Sequence, residues 1–461
     1  MAAIIILVLV LYAVFVPMLC SNPYTDALTD TTYLQYTKLL PKVQFIHDMG
    51  INFWDGSSDQ TISEANYIAL SAIAQETGYE VFREVYGSHT DEKDKLLYDV
   101  RVDSYIANGY TYLTMTAKEY QALQEWQNET GIQVIYPTTT DSKATDANIW
   151  YKASKKGVAK LDKNGQLVDI YKTSGRDGDY NSLRIPGDPG LENPEAENRY
   201  RYAAVTGTSD AMSFKVRVFK YTYFQYRYGF EPSFVFGTTG MGQDVMTRLA
   251  GAARFSLIFA VIVSVINLSI GAVYGAIEGY YGGKIDLVME RIVDLLASIP
   301  FMIVITLLKY HLNVSHIVVL FISFFLTGWT GMAGRTRMQF YRFKNQEYVL
   351  VARTLGASDR RIMFKHIFPN AIGTLITSSV LVVPSVIFSE TSLTYLGIID
   401  LNTGNLTSVG TLLAKGQTFL FTYPHIILFP AIFISLLMLS FNLFGNGLRD
   451  AFNPSLRGTE E

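Results

Sequence analysis

The residues able to do chemistry in this chain are charged groups beside long apolar runs. Glu390 closes the apolar stretch 371–388. A carboxylate at that depth is a functional candidate by default. It would line a pathway and meet an ammonium group, or it would hold a buried hydrogen bond where a span gives way to a short helix. Eight basic residues crowd one segment: Arg335, Arg337, Arg342, Lys344, Arg353, Arg360, Arg361 and Lys365. His366 lies among them without a second ligand nearby, and the six histidines show no HExxH spacing, so no metal site is expected. Gly279 to Lys284 is glycine-rich, but its spacing is wrong for a phosphate loop and Ile285 stands where Ser or Thr is required. No catalytic constellation emerges, and the chain is not expected to hydrolyse ATP.

These groups must be positioned by membrane helices. About 20 apolar residues cross the hydrocarbon core, and Ala2 to Leu19 is one such run. It lacks a basic n-region and a small-residue cleavage site, so residues 1–20 read as a signal anchor and not a cleaved peptide. Lipidation of Cys20 is disfavoured because Pro17-Met18-Leu19 is a poor signal for it. Further spans are expected at Phe255–Ile277, Ile292–Leu308, Val314–Trp329, Ala371–Phe388 and Ile426–Phe444, with Pro300, Pro384 and Pro430 interrupting three of them. Lys/Arg-rich short loops stay in the cytoplasm. That rule puts 335–370 inside and 21–235 outside, with Glu278 and Glu290 flanking membrane ends near the cytoplasm.

Composition separates the same two regions. Residues 21–235 carry 29 Asp/Glu against 22 Lys/Arg, whereas the rest carries 12 against 16. With one cysteine no internal disulfide is possible, so the polar region must hold itself together by its own core. It reads as α+β. Helices are expected over Ser63–Gly78 and, after the capping box Thr116-Ala117-Lys118-Glu119, up to Gly131. Strands are expected at Ile132–Tyr136 and Phe214–Tyr228, a hairpin at Val158–Tyr171 around Asn164-Gly165, and a surface loop at Gly175–Asn198. The aromatic residues of this region read as core.

The segment Glu347 to Asn370 holds the basic cluster's most patterned part. Helical character ends at Gly356, which permits a sharp turn. Ser358 would cap a second helix, Asp359 to Phe368, which Pro369 would terminate. Two short helices joined at a glycine form a knob, with Ile362 and Phe364–Phe368 as apolar anchors and arginines as a rim. On these residues alone, docking of a partner and flat packing on lipid are equally supported.

This segment resembles the EAA loop of bacterial ABC importer permeases, in particular the C-type dipeptide/oligopeptide subunit. The matching positions are Glu347, Tyr348, Val349, Ala352, Arg353, Leu355, Gly356, Ala357, Arg361, Ile362, His366, Pro369 and Asn370. Phe236–Leu249, Gly279–Asp286 and Glu390–Gly397 resemble further family stretches, in order, across 236–452. Thr239 and Gln243 replace an expected Asp and Arg, and Leu350 and Val351 occupy the first two EAA positions. The likeness does not extend to 21–235.

The resemblance implies a type I ABC importer permease; taken with the expected spans and the polar region, this gives an all-α domain of six transmembrane helices with an extracellular α+β domain, 21–235, between helices 1 and 2. The permease core would span 236–452, and 453–461 would be a cytoplasmic tail. The chain would be a permease subunit, not an enzyme, in a bacterial cell membrane. It would carry oligopeptides or dipeptides, or else nickel or another small solute. Its expected partners are a second homologous permease subunit, two ABC ATPases that bind ATP and Mg, an extracellular substrate-binding lipoprotein and membrane lipid. No cofactor of its own and no nucleic acid are implied. Its coupling loop would use Glu347, Ala352, Arg353, Gly356, Ala357, Arg360, Arg361, Ile362, His366 and Pro369, and Glu390 would belong to the pathway or a gate. A receptor with an external ligand-binding domain is the other reading; it would need only one or two spans and an effector domain.

Overall fold

The computed structural model describes residues 1–19, 38–136, 149–152, 162–165, 182–185, 203–206, 213–401 and 407–451. Cys20 and the 453–461 tail lie outside them. The chain divides into two compact units, 31–242 and 1–30 with 243–461.

In the membrane-like unit, α1 (Ala2–Leu19) is apolar on every side. In the polar unit, α2 (Gln44–Asp48) precedes β1 (Ser57–Ser63), α3 (Glu64–Thr77), β2 (Phe82–Thr90), β3 (Leu96–Asp103) and α4 (Ser104–Ala107). Strand β3 lies between β1 and β2, all antiparallel. Tyr67 of α3 stacks on Tyr98 and Phe82, with ring centroids 4.1 and 4.9 Å away. A second antiparallel sheet places β9 (Ser213–Phe219) between β4 (Tyr110–Thr116) and β5 (Ile135–Tyr136), with β8 (Ala203–Thr206) also paired to β9. Helix α5 (Ala117–Thr130) covers it, and Leu123 joins Met115, Val134, Ile135, Val216 and Val218 in one core. Arg217 donates twice to Glu76, at 2.6 and 2.9 Å, which ties β9 to α3.

Local signals hold where side chain and backbone agree. Ser63 caps α3, and Gly78 ends it in the left-handed region. Thr116 and Glu119 form the reciprocal capping box, and Gly131 ends α5. Replacing Thr116 with Ala should therefore destabilise the polar unit by about 1 kcal/mol. Thermal unfolding of the purified chain would read this, with the melting of the membrane unit as internal reference.

Three expectations are corrected. The strand expected over Phe214–Tyr228 stops at Phe219 and becomes α6 (Lys220–Tyr228), closed by Gly229 at φ +77°. Five consecutive residues, Tyr221 to Gln225, are buried there. A helix surrounded by neighbours suits them, and packing overrides the strand preference of Tyr and Phe. Gly175–Asn198 is not loop throughout, because β7 (Ser182–Ile185) pairs with β6 (Ile149–Lys152). The strand expected from Ile132 forms only at Ile135–Tyr136, after Gln127 has taken the Val134 and Ile135 amides onto its side-chain oxygen. Of the hairpin at Val158–Tyr171 the Asn164-Gly165 turn is present, with Gly165 at φ +76°; its arms lie outside the described residues.

The membrane-like unit is helical. After α1 it contains α7 (Val245–Tyr281), the bent pair α8 (Gly283–Ser298) and α9 (Phe301–His311), α10 (His316–Thr327) and α11 (Thr330–Phe343). Then come α12 (Glu347–Thr354), α13 (Asp359–Arg361), α14 (Phe368–Tyr395), α15 (Val409–Gly416) and α16 (His425–Ala451). Among the described residues five helical stretches are long and apolar enough to cross a membrane, or six if α8 and α9, bent by 77° at Ile299-Pro300, count as one. Helix α7 is the centre of the bundle. Tyr12 of α1 donates to Met246 O at 2.7 Å, and Gly271, Gly275 and Gly279 form a stripe against α11. A Cβ on any of the three would collide with backbone or Cβ atoms of Met332 to Phe340. Small residues at that spacing let two membrane helices approach closely.

The basic segment is also partly corrected. Arg335 to Phe343 is not loop but the end of α11, which continues the candidate span His316–Phe343. Pro369 does not stop the helix beginning at Asp359. A π-helical segment, Ile362–Ile367, intervenes, and Pro369 falls in the first turn of α14. There its missing N–H breaks no α-helical bond. Pro384 and Pro430 likewise sit within continuous helices, as membrane helices tolerate.

Candidate functional site: the basic knob and its anchorage

The knob is built by a helix end. At the close of α12, Gly356 N–H donates to Arg353 O and Ala357 N–H to Ala352 O, both at 3.0 Å. This double closure requires a left-handed residue, and Gly356 supplies it at φ +80°. The chain then turns through Ser358, whose backbone has N-cap geometry but whose side chain makes no cap hydrogen bond, into α13. From Asp359 the helical path continues without a stop through the π segment and α14 to Tyr395.

The two faces of the knob differ. Val349, Ile362, Met363 and Ile367 are buried against Ala276 and Tyr280 of α7 and Phe340 of α11. Tyr280 Oη donates to Asp359 Oδ1 at 2.6 Å, and Arg353 Nη2 approaches Tyr280 Oη at 3.5 Å. The other face exposes Leu350, Val351, Phe364 and, at 82% exposed, Leu355. Glu347, Arg353, Gly356, Arg360, Arg361 and Pro369 are exposed beside them, and Ala357 and His366 are half-buried. Ile362 and Ala352 are buried, so Ile362 is not an outward anchor as expected. The helical phase turns it towards α7, and Leu355 takes the outward position.

Beneath the knob lies an ion network that sequence reading treated as topology charge. Arg337 of α11 donates to both oxygens of Asp286, Nε at 2.6 Å and Nη2 at 3.0 Å. Its Nη1 lies 3.2 Å from Glu290 and its Nε 3.4 Å from the fully buried Glu278. Tyr341 donates to Asp286 at 2.6 Å, and Lys344 donates to Gly279 O at 2.9 Å. Burial lowers the pKa of the Lys344 ammonium, with Asp286 pulling the other way and Arg353 adding to the fall. One guanidinium thus joins α7, α8 and α11. The signal for it was Gly279–Asp286: Gly282 and Gly283, at φ +65° and +58°, turn the chain so that Asp286 faces Arg337.

At the opposite end of α14, Glu390 is fully buried. It accepts from Ser256 Oγ of α7 at 2.8 Å and from Thr394 Oγ1 at 3.4 Å, and Ser408, the N-cap of α15, donates to Thr394 at 3.3 Å. Gly410 packs so tightly on Thr391 and Thr394 that a Cβ would not fit. Among the described residues no group of three or more His, Cys, Asp or Glu side chains is arranged to hold a metal ion.

Comparison with known proteins decides the family. The oligopeptide transport system permease protein OppC of Bacillus subtilis is 41% identical over 222 residues, which cover 48% of this chain and 72% of that protein. The family described as "Binding-protein-dependent transport system inner membrane component" matches residues 271–458. The chain belongs to that family. The dipeptide transport system permease protein DppC of the same organism is 40% identical over 224 residues, covering 48% of this chain and 69% of its own. Among solved structures, the MetNI methionine ABC transporter in an inward-facing conformation covers 44% of this chain and 97% of its own, at 12% identity and a TM-score of 0.34. As a family member the chain is a multi-pass membrane permease subunit with the type I ABC importer fold, and not an enzyme.

Proposed function

We propose that this chain is one permease half of an ATP-driven importer of oligopeptides or dipeptides, and that Glu347–Pro369 couples it to an ATPase. The two-faced knob carries the reading. Its inner face is fixed to α7 and α11, its outer face presents apolar side chains within a basic rim, and its second helix continues into α14. A push on the outer face would reach a membrane-spanning helix with no flexible joint between. The substrate class is supported by the names of the relatives at 40–41% identity.

In this reading α8 and α9 form one broken span, so six spans cross a bacterial cell membrane. The basic end of the bundle faces the cytoplasm, and 21–235 lies outside between the first two spans. Partners are a second permease, two ATPases that bind ATP and Mg, and an extracellular binding lipoprotein; the chain itself takes no cofactor. Glu390 serves as a gate tie, holding the outer end of α14 on α7 and α15. A ligand-driven change needs contacts that differ between states, and the knob supplies them at the ATPase while the Glu390–Ser256 bond supplies them at the far end.

Co-expression with candidate ATPases, followed by detergent extraction and pull-down on this chain, tests the proposal. Two ATPase copies per complex should co-purify, and peptide-loaded binding protein should raise ATP turnover. Recovery of the chain without any ATPase would refute it.

A further inference from the structure

The first turn of α7 carries a cation without a counter-charge. Arg248 is only 6% exposed. Its Nε has no hydrogen-bond partner, and among the described residues no carboxylate lies within ion-pair distance of its guanidinium. The nearest acid along the chain, Asp244, is engaged elsewhere. It accepts from Met246 N at 3.3 Å, Thr247 N at 2.9 Å and Thr247 Oγ1 at 2.7 Å, and so caps α7. Nε is sealed from solvent, whereas Nη1 and Nη2 are not.

A second cation stands beside it. Lys415 lies in the last turn of α15, which packs on α7. It is half-buried, and among the described residues it too has no carboxylate within ion-pair distance. Burial lowers the pKa of its ammonium, the Arg248 charge adds to the fall, and Asp400 opposes it. Two like charges drawn partly out of water disfavour each other, and an anion between them would relieve both costs.

The place of the pair follows from helix geometry. Ser256, which donates to Glu390, is eight residues beyond Arg248 on α7, about 12 Å at the helical rise. Lys415 is seven residues beyond Ser408, the α15 N-cap that donates to Thr394, or about 10 Å. Each cation is thus displaced from the Glu390 tie along its own helix. Arg248 is displaced away from the basic end of α7, which is the outer side in the proposed orientation.

The occupant must bring acceptor oxygens and negative charge. A guanidinium is a planar fork of donors that matches a carboxylate, and a peptide with a free C-terminus carries one. A lipid phosphate would be met by an arginine on the outside of the bundle, whereas Arg248 is enclosed. We propose that Arg248 and Lys415 bind the C-terminal carboxylate of an incoming peptide on the outer side of the Glu390 tie. This rests on the reading of the chain as half of a peptide importer.

The test uses the permease–ATPase complex in phosphatidylcholine nanodiscs and acetic anhydride, which acylates free amines. Acylation of Lys415 is followed by peptide mass spectrometry. Millimolar tri-alanine should slow it at least fivefold, tri-alanine amide should not, and Arg248→Gln should remove the protection. Equal protection by the acid and the amide, protection by inorganic phosphate alone, protection only when phosphatidylglycerol is added to the disc, or no protection at all overturns the inference. These outcomes leave the importer reading intact, because that reading fails only if no ATPase is recovered with the chain. Should Arg248→Gln fail to assemble, the acid-against-amide comparison on the unchanged chain decides.

Discussion

The Gly356→Trp protein should assemble in the membrane yet lose ATP-driven uptake, by tenfold or more, in a transport assay on whole cells. Two features of Gly356 set this expectation. Its φ of +80° is one that side chains rarely adopt, at a cost of roughly 1–2 kcal/mol. Around it there is open space: a Cβ built there would meet nothing within 4 Å. A tryptophan would not clash within the chain, so the knob's anchorage on Tyr280 and Ile362 would survive. The ring would instead stand on the exposed surface beside Leu355, where the ATPase is proposed to approach. Gly356→Asn separates the two effects, because Asn tolerates the left-handed region and adds little bulk. It should retain most uptake. If Gly356→Trp transported normally, this surface would not be the coupling contact.

How far this was readable from sequence depends on the range of each signal. Helix-scale signals were clear. The apolar runs marked every long membrane helix, and the caps at Ser63 and Thr116 and the stops at Gly78 and Gly131 fell where expected. The turn at Gly356 was also legible, because a left-handed residue with two backbone closures leaves glycine as the favoured choice.

Properties set by neighbours were not legible. The helical phase of the knob depends on α7 and α11, so a linear reading made Ile362 an outward anchor when it is buried. The aromatic run Tyr221–Phe224 carries strand-forming residues, and only its surroundings make it helical. The π segment could not be foreseen, because its wider turn is what allows Pro369 to follow without a break. Arg337 was counted with seven other basic residues although it alone is tied to three carboxylates. Charge counts average over residues, whereas partners are decided by which helices meet.

Arg337 gives the second large effect. Arg337→Leu should destabilise the bundle by about 3 kcal/mol, measured by thermal unfolding in detergent, and should depress uptake with it. Breaking a buried ion pair by removing one partner costs about 3–5 kcal/mol. The lower end applies because the Arg337 side chain is 26% exposed whereas Glu278 is fully buried. Without the guanidinium, Glu278 would have no ion-pair partner among the described residues, and Asp286 would keep the hydrogen bond from the Tyr341 hydroxyl. Arg337→Lys should rescue little, since an ammonium cannot match the two parallel bonds to Asp286 while reaching Glu290. The decisive variant is the double one. If the loss comes from a stranded carboxylate, Glu278→Gln added to Arg337→Leu should recover part of the stability, an interaction readable from a double-mutant cycle. Strict additivity of the two losses would show instead that Arg337 acts only by filling space between α8 and α11.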